Sequence, residues 1–89
     1  MAPTYLPDIA YLVVLEADLL TRRDLPETAK VIIDLDLRAH AALFRTYAGI
    51  GVGRNGPWPT LEEVIDAARR TVADAFADGW LPTNVPPPF

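Results

Sequence analysis

The chain has 89 residues, no cysteine, 51% apolar content and a formal charge of −4. This length supports one small domain that buries about 60–65% of its unfolded surface, and the missing thiols exclude disulfide scaffolds, cysteine catalysis and cysteine-ligated metal centres. Of eight basic residues, seven are arginine; the only doublets, Arg22-Arg23 and Arg69-Arg70, are flanked by acids, which argues against a nucleic-acid partner.

The N-terminus MAPTYLPDIA has no basic region, and the apolar run Ile9 to Leu15 is too short to cross a bilayer. A cytoplasmic protein with no membrane partner is expected. Arginine in place of lysine, with abundant alanine and aspartate, suggests a bacterial or phage genome of high GC content.

Two prolines give residues 1–7 the look of an extended lead-in. From Asp8 the text DIAYLVVLEADLLTRR predicts a helix over about 8–23, with Asp8 as its cap and a basic pair at its end. This helix is apolar almost all round, so it should be buried on more than one side, centrally in its own fold or in an interface.

DLPET predicts the next start, with Asp24 as N-cap, Pro26 in the first turn and Glu27 closing a capping box. Alternation in KVIIDLDLR tempts a strand. Over a longer window, however, Glu27, Lys30, Asp34, Arg38, Ala41 and Arg45 recur every three or four residues, the spacing of one helical face. A helix over 25–48 follows, stopped by Gly49.

Thr60-Leu-Glu-Glu63 is a capping box, and Leu61, Val64, Ile65, Ala68, Val72, Ala75 and Phe76 form an apolar stripe behind it. That predicts a third helix over 60–78. The tail WLPTNVPPPF is a proline-rich arm over 80–89, extended by its prolines, after a helical domain over 1–79. The expected fold is mainly α: three helices, a glycine-rich connection and this arm. The alternative is α+β, with a hairpin of 11–19 and 30–38 packed on helices; it sets Glu16 and Asp18 near Asp34 and Asp36, and like charges across strands are unfavourable.

Within GIGVGRNGPWPT, residues 51–56 spell G-x-G-x-x-G. A dinucleotide loop needs a preceding strand and a helix starting inside the motif. Here a helix precedes, and Pro57 to Pro59 delay the next one. The glycines therefore serve to reverse the chain, with Ile50 and Val52 plugging the gap beneath and Trp58 packing where the third helix begins. An anion site of Arg54, Gly53 and Gly56 beside that helix's N-terminus is the functional alternative.

Three polar residues interrupt apolar faces. Asp36 falls among Ala29, Ile32, Ala39 and Leu43, His40 lies one turn on, and Glu16 sits among Ile9, Leu12, Val13, Leu19 and Leu20. If the two faces meet, Glu16, Asp36 and His40 converge. Two carboxylates and an imidazole can hold a divalent metal or act as an acid–base pair. The plainer expectation is a structural pair, His40 against Asp36, because buried carboxylates are costly unless paired. The chain contains no serine, so a serine triad is excluded, and no cofactor is expected.

These features point to a non-catalytic interaction module: a small acidic accessory, adaptor or structural subunit acting through self-association or a protein partner. Its expected contact residues are Tyr11, Leu12, Leu15, Leu19, Trp80 and Phe89. The alternative is a small bundle with a buried Glu/Asp/His metal or acid–base site.

Overall fold

The computed structural model describes residues 5–53 and 55–82. They form three helices, α1 (Tyr5–Leu19), α2 (Glu27–Ala48) and α3 (Leu61–Ala77), and no strand occurs among them. The segments 11–19 and 30–38, offered above as a hairpin, lie inside α1 and α2. Helical spacing prevails over alternation there because it brings Asp34 and Arg38 together, Oδ2 to Nε at 2.9 Å. Lys30, on the same face, turns back to Glu27 at 3.9 Å.

The all-round apolar α1 lies between the other two helices and packs along both, whereas α2 and α3 meet over a much shorter stretch. The core is Ala10 and Val13 of α1, Leu37, Ala41 and Phe44 of α2, and Val64, Ala68 and Val72 of α3. An alanine from each helix lets the backbones approach closely. Cα extents of 39 × 36 × 16 Å make the molecule a flat layer with two broad faces.

Helix ends depart from expectation where proline or an ion pair intervenes. α1 begins at Tyr5 rather than at Asp8, since Pro7 fits a first turn where its missing N–H is no loss. It ends at Leu19, and the Thr21 hydroxyl donates to the Asp18 carbonyl at 2.6 Å, leaving Arg22-Arg23 in the connection. Asp24 does not cap α2: both its oxygens accept from the Arg22 guanidinium, at 3.0 and 2.6 Å. Pro26 takes the cap position with no side-chain bond.

The other ends behave as written in the sequence. Gly49 closes α2 at φ 71°, where the N–H groups of Ile50 and Gly49 donate to the Arg45 and Thr46 carbonyls at 3.0 and 3.3 Å, a Schellman pattern. At α3 the Thr60 hydroxyl accepts from the Glu63 N–H at 3.2 Å and the Thr60 N–H donates to Glu63 Oε1 at 3.5 Å.

Past α3, Trp80 folds back on α1. Its indole N–H donates to Asp8 Oδ1 at 3.2 Å, and its ring sits 5.8 Å from Tyr11 and 5.4 Å from Phe76. The Arg69 guanidinium donates to Asp18 at 2.8 Å, tying α3 to α1 a second time. Residues 83–89, most of the expected arm, lie outside the described residues.

Candidate functional site

Of the three misplaced polar residues, Glu16 and His40 come together across the seam between α1 and α2. Glu16 is wholly buried, and its Oε1 lies 2.6 Å from His40 Nδ1 on α2. The expected partner of His40 was Asp36. Glu16 takes that place because it projects from α1 into the inter-helix seam, whereas Asp36 belongs to His40's own helix one turn earlier.

Burial holds the Glu16 carboxyl above its ordinary range; the hydrogen bond and charge of His40 oppose that rise, and the negative charge of Asp36 adds to it. Glu16 Oε2 has no hydrogen-bond partner. A bare anionic oxygen in the core costs more than a bare carbonyl oxygen. Burial and the unpartnered Oε2 thus both disfavour the anionic form of this carboxyl.

Such a pair can exchange a proton, but it sits apart from the volume where a substrate would fit. Among the described residues no group of three His, Cys, Asp or Glu is placed to hold a metal ion.

The fold's main concavity is apolar. A cavity of about 680 Å³ opens between α1 and α2 beside their connection, lined by Leu15 and Leu19 of α1, Leu25, and Ala29, Ile32 and Ile33 of α2, with Asp18 and Arg22 at its rim. Neither Glu16 nor His40 lines it. Asp18 is held by Arg69 and Arg22 by Asp24, so the rim offers little unneutralised charge.

The cavity runs into an apolar strip along the outside of α2. Val31, Ile32, Leu35 and Leu43 are 59, 54, 62 and 47% exposed, and Ala39 and Ala42 between them are exposed too. At 3.6 residues per turn these six share an arc of about 120°, which also holds Thr28 and Thr46 and no charged residue.

The sequence reasoning had assigned Ile32, Ala39 and Leu43 to the packed face and Ala41 to the polar one. The structure reverses this: Ile33, Leu37, Ala41 and Phe44 face the core. The missed signal was a surplus, since α2 carries apolar residues on two arcs and one neighbouring layer can cover only one.

The expected contact residues divide. Leu15 and Leu19 line the cavity, Leu12 is half-buried, and Tyr11 and Trp80 are engaged with Phe76 inside the fold. Phe89 lies outside the described residues, as does Arg54 of the glycine loop.

That loop turns the chain between α2 and α3. Gly51 has φ 86°, and a Cβ on it would meet the Pro59 ring at 3.0 Å. Ile50 packs on the core as expected, whereas Val52 is 81% exposed. Trp58, 72% exposed, lies under the Arg45 guanidinium at 4.8 Å rather than packing into the start of α3. Gly53 and Gly56 are exposed, and the nearby N-terminus of α3 already has Glu63 on it, which disfavours an anion there.

No family model matches the chain, and no curated protein or solved structure is significantly similar to it. No helix among the described residues is long and apolar enough to cross a membrane.

Proposed function

We propose that this chain is a non-catalytic protein–protein interaction module, a small acidic accessory or adaptor subunit that offers the outer face of α2 and the adjoining cavity to a protein surface. The observation that carries this reading is the uncharged strip of Val31, Ile32, Leu35 and Leu43, each about half exposed or more. An amphipathic helix at a protein surface ordinarily puts charge on its outer side. This one keeps Glu27, Lys30, Asp34, Arg38 and Arg45 to one side of the strip and Asp36 at its other edge.

Covering a Leu, Ile or Val that stands half exposed gains about 1 kcal/mol, so the four together favour association by several kcal/mol before its costs. Contiguous apolar surface continuing into a concavity is the usual character of a binding face.

Site-specific photo-cross-linking in the cell of origin tests the reading. A photoreactive residue at Leu35 or Leu43 should yield protein adducts, and one at exposed Glu62 on α3 should yield none above background. Equal yields at all three positions, or no adduct from α2, would refute it.

A further inference from the structure

The strip has a sequence order that specifies what covers it. For two α2 helices laid antiparallel about Leu37 with like edges of the strip together, Val31 meets Ala42 of the other copy, Ile32 meets Leu43, and Leu35 meets Ala39. A second α2 laid antiparallel across the first therefore sets a large side chain opposite a small one at two of three levels and aliphatic on aliphatic at the third, which is how facing helices interdigitate.

Charge follows the same symmetry. On the flank beside Val31 the N-terminal half carries Glu27, Lys30 and Asp34, a net charge of −1, and the C-terminal half carries Arg38 and Arg45, a net charge of +2. Antiparallel packing brings the acidic half of this flank beside the basic half of its mate. Parallel packing would set acid level with acid and base level with base.

The cavity obeys the same rule. It lies at the N-terminal half of α2, beside Ala29 and Ile32, on the edge of the strip where Leu43 stands at the C-terminal half. A two-fold axis perpendicular to the two helices pairs like edges, so Leu43 of the second copy arrives at the cavity mouth.

Resting on the reading of the α2 face as a protein-binding surface, we infer that its occupant is a second copy of this chain, in an antiparallel α2–α2 dimer centred near Leu37, with Leu43 of each copy seated at the cavity of the other.

The chain has no cysteine, so engineered cysteines report the geometry without background. In the antiparallel pair two copies of residue 32 are separated by about 15 Å along the helices, far beyond disulfide reach, while residues 32 and 43 adjoin. A mixture of Ile32→Cys and Leu43→Cys chains should oxidise to the mixed dimer, and Ile32→Cys alone should stay reduced and unlinked.

Efficient self-linking of Ile32→Cys would overturn the antiparallel arrangement. A wild-type mass of 9.8 kDa at all concentrations, with persisting cellular adducts from position 35, would overturn the second copy while leaving the binding face intact. Loss of both signals would remove both readings.

Discussion

The buried carboxyl offers the sharpest energetic prediction. Glu16 is inaccessible, one oxygen has a single partner and the other has none. Replacing it with methionine keeps the length and removes the orphan oxygen, whose burial costs about 1–3 kcal/mol. The lost hydrogen bond is worth about 0.5–1.5 kcal/mol for an uncharged carboxyl, and the His40 side chain, 31% exposed, recovers most of it from water. Glu16→Met should therefore be neutral or stabilising by up to about 2 kcal/mol.

His40→Ala is the asymmetric partner of that change. It strands both Glu16 oxygens in the core and should cost about 2–4 kcal/mol. For a chain of this size each kcal/mol moves Tm by about 4–8 °C, so the single variants should differ in sign or at least by 10 °C or so. Adding Glu16→Met to His40→Ala should restore most of the loss. Thermal melts followed by far-ultraviolet circular dichroism, all at one protein concentration, measure the cycle. If Glu16→Met destabilises as much as His40→Ala and the double variant adds the two, the carboxyl is an anchor and the reasoning fails.

Four further outcomes follow from the same structure. Because the folded Glu16 pKa is raised by burial, the stability this group contributes is fully present below the ordinary glutamate range and is lost as pH climbs through the folded value; melts of wild type against Glu16→Gln should show the variant gaining with rising pH, by at most about 1.4 kcal/mol per pH unit. Gly49→Ala meets no atom but must hold φ 71°, so it should cost about 1 kcal/mol in a urea titration. Thr60→Ala removes the hydroxyl that caps α3 and should cost about 1 kcal/mol in the same titration. Asp36, at the edge of the strip near the proposed two-fold axis, faces its own copy, so Asp36→Asn should tighten association by about fivefold in sedimentation equilibrium.

Much of the scaffold is visible in the sequence because its signals are local. The Thr60–Glu63 box and the Val64, Ala68, Val72 spacing define α3 without reference to anything else. The αL glycine at position 49 ends α2 for the same reason. Helical phase marked Glu16, Asp36 and His40 as misplaced polar residues, of which Glu16 and His40 pair.

What stayed hidden depends on neighbours. Asp24 is as good a cap as Thr60 on paper, but a guanidinium two residues earlier took it. The outward turn of Ile32, Ala39 and Leu43 was invisible because α2 has two apolar arcs. Which one turns inward is decided by Leu37 and Phe44 sharing one core with Ala10 and Val13 of α1 and Ala68 of α3, and no periodicity within α2 encodes that fit. The same ambiguity placed Asp36, rather than Glu16, opposite His40.

Solution mass by sedimentation equilibrium over a hundredfold range of concentration tests the central claim most directly, with Leu35→Glu run beside the wild type. The account predicts twice 9.8 kDa for the wild type, and a monomer of unchanged helicity for the variant, since Leu35 is 62% exposed and plays no part in the core. A wild-type monomer throughout that range, or a dimer that Leu35→Glu leaves intact, would contradict it.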